Sequence, residues 1–286
     1  MKQITYKSDS GAIVVFGDTP PMLLEYIDTM SVGSVVDENM LIGGRYRTYV
    51  TGFDRRVIPV DVAIAQPKWL SSKDYITLKR KMINALNLSH QGTLIYEDET
   101  GSYSIRVRPL SIPTEEDLIG NNGRFSIQFE TTESPLWKSS NEITRPIGQI
   151  MGGVSFPLVF EDDIEFGEMV NDIVILNDSS YRVPFKILVL GKAPMLTITN
   201  QTSGQYLQFN REILDGQEIE IDTETQTAVV KNAVTGEFLF NANQYLTLDS
   251  EYFQLEVGRN EITVDNGTGG QTAFGFIFYN KLYGGL

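Results

Sequence analysis

Few side chains in this sequence have the types and spacing that catalysis requires. The single histidine, His90, lies in residues 88–92 (LSHQG). As the base of a serine hydrolase it would need an activated nucleophile and an oxyanion hole, and the sequence contains no Gly-x-Ser-x-Gly turn. The absence of cysteine excludes thiolate nucleophiles, disulfides and cysteine-ligated metals. We therefore expect His90 to stabilise the end of a preceding helix.

Two acidic runs and one glycine-rich run are further candidates for binding or catalysis. Residues 161–165 (EDDIE) and 115–117 (EED) could coordinate Ca²⁺ or supply the two carboxylates of a glycosidase. The first lacks the glycine and terminal glutamate of an EF-hand, and we interpret both runs as solvated loops. Residues 267–270 (GTGG) precede no helix, which a phosphate cradle requires. The sequence therefore predicts no enzyme, no metal site and no cofactor.

Aromatic and basic residues suggest binding surfaces instead. An aromatic platform for a sugar could draw on tyrosines of the second half, although alternation within a β-sandwich would bury many of them: Tyr181, Tyr206, Tyr245, Tyr252 and Tyr279. Four arginines cluster in the first half: Arg45, Arg47, Arg55 and Arg56. They form either an ordinary solvated face or a contact between subunits.

The charge distribution narrows the choice of partners. Residues 1–150 carry 16 Lys and Arg against 18 Asp and Glu, whereas residues 151–286 carry 7 against 19. The formal net charge of −14 opposes binding to a phosphate backbone, so we expect no sequence-specific binding of nucleic acid. Because no signal peptide and no run of 18 apolar residues occurs, we also expect no membrane insertion and synthesis in the cytoplasm.

The sequence of the first half predicts several strands and one helix. Residues 4–7 and 12–16 form a predicted hairpin, and residues 45–66 alternate as a strand pair whose buried face carries Ile58, Val60, Val62 and Ile64. Ser71 and Asp74 fit a capping box that starts a helix ending near Asn87. Four further strands are predicted at residues 22–27, 92–97, 102–108 and 123–131. Extended loops are predicted at residues 37–44 and 113–122.

The second half predicts a β-sandwich of jelly-roll type. Short strand patterns recur about every 10 residues, with Gly, Asn, Asp or Pro in the gaps. They cover residues 171–176, 181–190, 195–200, 205–210, 218–222, 227–231, 236–240, 252–257, 260–265 and 273–283.

Three prolines between the halves predict a domain joint. Pro135, Pro146 and Pro157 each lack a backbone donor, so we expect neither a helix nor a central strand to run unbroken through this stretch. The prediction is a mainly β protein with two domains. Residues 1–145 form a β-rich domain with one packed helix, and residues 146–286 form the sandwich.

Several stretches, taken in order, resemble the siphophage distal tail protein family. In the first half they are residues 49–56 (YVTGFDRR), the helix after them, and residues 125–137, which run from FSIQFE to ESPLW. In the second half they are residues 152–160 (GGVSFPLVF), 215–223 (DGQEIEIDT), 255–262 (LEVGRNEI) and the aromatic ending 274–283. Val257 departs from a proline common in that family.

The resemblance implies a structural hub. In that family the first domain forms a ring, usually a hexamer, that contacts the tail tube protein on one side and the tail-tip or tail-associated lysin protein on the other. The second domain is galectin-like, and in many relatives it carries receptor-binding proteins. The resemblance therefore implies a virion protein made in the host cytoplasm. A carbohydrate-binding adhesion module and a polysaccharide hydrolase remain as alternatives.

Overall fold

The computed structural model describes residues 2–30, 32–41, 45–65, 70–119, 122–151, 168–170, 172–267 and 274–286. The chain divides into two compact units. The first unit comprises Met1–Ser140 and Leu282–Leu286, and the second comprises Asn141–Lys281. No helix in the described ranges has the length and apolar character needed to cross a membrane.

One large antiparallel sheet, the separate two-stranded pair β4–β5 and one helix build the first unit. Its elements are β1 (Gln3–Ser8), β2 (Ile13–Phe16), β3 (Met22–Ile27), β4 (Ser34–Leu41), β5 (Arg45–Phe53), β6 (Val57–Ile64), α1 (Ser72–Ala85), β7 (Gly92–Glu97), β8 (Ser102–Pro109), β9 (Thr114–Ile119), β10 (Asn122–Thr131) and the start of β11 (Trp137–Ile147). The strands pair in the order β2-β1-β7-β8-β10-β6-β3, and β9 also pairs with β10. A bridge between Gly17 and Leu23 brings the two ends of this order together.

The period-two pattern of β6 creates the core of this unit. Ile58, Val60, Val62 and Ile64 are all fully buried, as predicted from their alternation. The residues paired with them on β10 are buried too. Met82 and Ala85 of α1 and the C-cap residue Leu86 close the same core. The predicted capping box is confirmed, since Ser71 Oγ accepts from the Asp74 N–H at 3.2 Å and the Asp74 carboxylate accepts from the Ser71 N–H at 3.3 Å.

Three predictions for the first unit are wrong. Residues 37–41, predicted as a loop, belong to β4, and most of the loop predicted at 113–122 is β9. The strand pair predicted within residues 45–66 does not form, because β5 pairs with β4 whereas β6 pairs with β10 and β3. Acidic edge strands resemble loops in composition, and their pairing depends on packing more than on local sequence.

Two large sheets and the two-stranded pair β12–β13 form the second unit, which confirms the predicted mainly β fold. Its elements are the end of β11, β12 (Gln149–Met151), β13 (Glu168–Val170), β14 (Asp172–Asn177), β15 (Phe185–Leu190), β16 (Thr197–Asn200), β17 (Gln205–Gln208), β18 (Gln217–Asp222), β19 (Thr227–Asn232), β20 (Phe238–Asn241), the 3₁₀ helix η1 (Asn243–Tyr245), β21 (Gly258–Asp265) and β22 (Phe274–Tyr283). One sheet has the order β22-β15-β18-β19-β20 and the other β14-β21-β16-β17. The strand predicted at 252–257 is reduced to a bridge between Leu255 and Val183.

The proline-rich stretch differs from its prediction. β11 runs unbroken from Trp137 to Ile147 and includes Pro146. The strand ends at Ile147, and the next residue, Gly148, has a φ of 72° that suits glycine and turns the chain. The domain boundary at residue 145 stays a prediction, and Pro157 lies outside the described residues.

Buried asparagine and threonine side chains explain two of the quoted motifs. In residues 255–262, the fully buried Asn260 donates to the carbonyl of Glu256 at 2.7 Å and accepts from its N–H at 2.8 Å, which fixes the tight turn before β21. In residues 215–223, Thr223 donates to the Phe185 carbonyl at 2.9 Å and accepts from its N–H at 2.8 Å. Each side chain acts as hydrogen-bond donor and acceptor for the backbone N–H and carbonyl of one residue, in place of a backbone partner.

Candidate assembly surfaces

The β4–β5 hairpin is the clearest candidate for a contact surface in the first unit. These two strands pair with each other and with no third strand in the described part of the chain. Arg45 lies opposite Leu41, and Arg47 lies opposite Asn39. At the base of the hairpin, Asp54 N–H donates to the Gly33 carbonyl at 3.0 Å, and Val35 and Phe53 remain exposed. An isolated two-stranded ribbon is marginally stable unless something packs on it.

Arg56 is buried inside the first unit, so its side chain is engaged within the chain. Only 2% of the residue is exposed. Its guanidinium donates to the carbonyls of Gly284 at 3.1 Å and Asp28 at 3.3 Å and lies 5.7 Å from the centre of the Trp137 ring. Burial lowers the pKa of Arg56. These partners lie far away in the sequence, and no local pattern indicated them.

Arg55 differs from its neighbour because it lies on the surface. Its side chain is 76% exposed and approaches the Glu130 carboxylate at 3.9 Å. Glu130 is held more closely by Arg108, whose Nε and Nη2 donate at 2.8 and 2.6 Å. The subunit contact predicted for Arg45, Arg47, Arg55 and Arg56 stays a prediction.

The acidic residue Glu115 belongs to a strand and joins it to the helix. It accepts from the Tyr75 hydroxyl at 2.5 Å and from the Lys79 ammonium. The hydrogen bond from Lys79, followed by that from Tyr75, lowers the pKa of Glu115. Burial, followed by the hydrogen bond to the Glu115 carboxylate, raises the pKa of Tyr75. Interpreting residues 115–117 as a solvated loop was therefore wrong for Glu115, because β9 presents its side chain to α1.

The other predicted chemical candidates are not brought together. His90 is exposed, and its N–H donates to the Asn87 carbonyl just after α1. Residues 161–165 and 268–270 lie outside the described residues. Within the ranges that the structure describes, acidic and histidine side chains do not gather in threes as a metal site would need.

Three of the five tyrosines considered for a sugar platform are buried or have partners within the chain. Tyr279 is buried, and burial raises the pKa of Tyr252 to about 12 while its hydroxyl donates to Asn243. Arg211 lies over the Tyr245 ring at 4.5 Å and over that of Phe240 at 3.8 Å. Because an arginine covers these two rings, they do not form an open platform for a sugar.

Comparison with protein families gives one match in each unit. Residues 28–131 match the family described as phage tail protein RIFT-related domain. Residues 178–281 match the family described as siphovirus-type tail component, C-terminal domain. No curated protein sequence matched the chain.

Solved structures share the fold over almost the whole chain. The phage SPP1 Dit protein, described as a paradigm of the hub adsorption apparatus in phages that infect Gram-positive bacteria, matches with a TM-score of 0.64 at 13% identity, covering 98% of this chain and 99% of that chain. Two structures of the phage p2 baseplate in its activated conformation, with Sr and with Ca, match with TM-scores of 0.51 and 0.50 at 15% and 14% identity. Each covers 97% of this chain and 98% of its own.

The order of the matches agrees with the order of the units. The two family models cover separate segments of one chain, and the shared fold extends across both. The chain belongs to the siphophage distal tail protein family and is a structural component of a phage tail.

Proposed function

We propose that this chain closes into a ring with copies of itself, a hexamer as is usual in its family, at the distal end of a long non-contractile tail. The ring joins the tail tube protein to the tail-tip or tail-associated lysin protein and carries receptor-binding proteins. It acts as a scaffold of the virion without catalysing a reaction, and it is made in the host cytoplasm.

The observation that most supports a ring is the β4–β5 hairpin. The outer edges of this ribbon are not paired with any third strand in the described part of the chain. A neighbouring copy supplies a surface for these edges at every contact of a ring, because head-to-tail contacts close when the rotation between copies allows it. Arg45 and Arg47 on β5 supply the charge for this contact.

Native mass spectrometry and negative-stain images of the full chain test the ring. We expect a closed oligomer, alone or on adding the tube or tip protein. The double variant Arg45→Glu with Arg47→Glu should shift it to monomers, because charge reversal at a contact opposes association. Arg80→Glu is the matched control, since Arg80 is exposed on α1.

Two results would contradict parts of this proposal. Monomers of the unmodified chain under every condition would remove the ring. A ring that persists in the double variant would leave the ring in place but remove the role of the hairpin arginines.

A further inference from the structure

The sandwich of the second unit carries an apolar stripe on an outer face. Phe274, Phe276 and Phe278 alternate along β22 with the buried Gly275 and Ile277. Leu190 and Leu188 lie directly opposite Phe274 and Phe276 on β15. We call these five residues the Phe stripe: Phe274, Phe276, Phe278, Leu188 and Leu190. Phe274 is 47% and Phe276 39% exposed, which is unusual for two phenylalanines side by side on one face.

A row of acidic residues on β18 runs beside the Phe stripe. Glu218 lies opposite Leu190, Glu220 opposite Leu188, and Asp222 opposite Lys186. Directly opposed residues share one face of a sheet, so each apolar pair continues into a carboxylate. A groove of about 240 Å³ lies on this face, and its lining includes Phe278, Leu188, Lys186, Glu220 and Glu142. The face is therefore apolar on one side and acidic on the other.

The basic residues of this face are already paired. Lys186 contacts Asp222 at 3.2 Å, and Lys231 contacts Glu220. The hydrogen bond that Lys186 donates to Asp222 raises the pKa of Lys186, and the negative charges of Glu220 and Glu224 raise it further. Glu142 and Glu218 have no ion pair among the described residues. The uncompensated charge is negative, so a complementary partner is positive.

We propose that the Phe stripe docks an extended segment of a different tail protein, with apolar side chains over β22 and β15 and Lys or Arg side chains over β18. The inference rests on the proposed function and names one of its contacts. A second copy of this face would oppose acidic residues to acidic residues, which disfavours self-association here. The phenyl and leucyl side chains of the Phe stripe offer a glycan no hydrogen-bond partners, which favours a protein segment with apolar side chains.

A photo-cross-linker identifies the occupant in assembled phage particles. p-Benzoylphenylalanine replaces Phe276 in the full chain, and cross-linked peptides are identified by mass spectrometry. The same substitution at Leu176 is the control, because Leu176 is 65% exposed on β14 of the other sheet. We expect Phe276, and not Leu176, to cross-link to a segment of another tail protein that carries apolar and basic residues.

Charge reversal adds a second, independent measurement. Glu218→Lys with Glu220→Lys should reduce the cross-link yield at position 276 by about fivefold or more, since complementary charge steers and holds the partner. Glu212→Lys with Glu251→Lys is the matched control, because both carboxylates are exposed outside the stripe.

The outcomes separate this inference from the proposed function. A cross-link to a copy of this chain, a glycan adduct, or particles that contain the chain without any protein cross-link at position 276 would overturn the inference. Unmodified particles that lack the chain would overturn the proposed function and, with it, this inference.

Discussion

Arg55 and Arg56 are neighbours with opposite roles. Arg55 extends into solvent beside Glu130, while Arg56 holds two backbone carbonyls beneath the surface. A buried guanidinium is costly to desolvate and stabilises the fold only while its hydrogen bonds are made. Charge pattern alone cannot distinguish these two residues, because the distinction depends on the carbonyl of Gly284, which is 228 residues from Arg56 in sequence.

We predict that Arg56→Lys lowers the free energy of unfolding of the first unit by about 2 to 3 kcal/mol, because one ammonium cannot replace the planar fork that reaches both carbonyls. Arg55→Lys should cost less than about 0.5 kcal/mol, as expected for an exposed ion pair. Urea unfolding of both variants, followed by tryptophan fluorescence, measures the difference. Equal costs would show that Arg56 does not anchor these segments.

Strands and the helix could be predicted from the sequence where one face is buried. Strand pairing could not be predicted where the partner strand is distant in sequence. The alternation of Ile58, Val60, Val62 and Ile64 predicted the buried face of β6 because a two-residue period places every second side chain in the core. The helix was predictable because its cap and apolar stripe are local. The pairing of β5 with β4, and of β9 with β10, was not, since composition does not specify which strand provides a partner.

The contact between α1 and β9 gives a pH-dependent prediction. Because the pKa of Glu115 in the folded chain lies below its ordinary value of 4.5, its contribution is fully present above that pH and is lost as the pH falls through the folded value. We expect Glu115→Gln to lower the free energy of unfolding by about 1 to 2 kcal/mol at neutral pH, as for other charge-assisted hydrogen bonds. Below the folded pKa of Glu115 the variant and the unmodified chain should converge.

Urea titrations at neutral and acidic pH test this convergence. Glu25→Gln is the control, since Glu25 pairs with Arg124 at 3.2 Å on the surface and should cost little at either pH. A gap between Glu115→Gln and the unmodified chain that stays constant from neutral pH to the lowest pH at which both remain folded would contradict the assignment of the Glu115 carboxylate to this contact.

At the scale of the whole molecule, the chain leaves the first unit and later returns to it. Leu282–Leu286 belong to the first unit although the second unit directly precedes them. Gly284 accepts from Arg56 at 3.1 Å, Leu286 accepts from the Thr29 hydroxyl at 3.0 Å, and the Tyr283 ring meets the Tyr103 ring edge-on at 5.4 Å. The prediction of two consecutive domains does not anticipate this return, because the sequence of these five residues does not indicate which unit they join.

Deleting residues 282–286 should therefore destabilise the first unit, by about 3 kcal/mol or more, because Arg56 stays buried with one carbonyl partner fewer. Hydrogen exchange followed by mass spectrometry locates the effect: we expect faster exchange in β1, β7 and β8 and unchanged protection in β15 and β18.

Asn260→Ala, which removes a fully buried side chain from the second unit, should give the converse pattern. Faster exchange in β15 and β18 after the deletion, or unchanged exchange in β7 and β8, would show that residues 282–286 do not complete the core of the first unit.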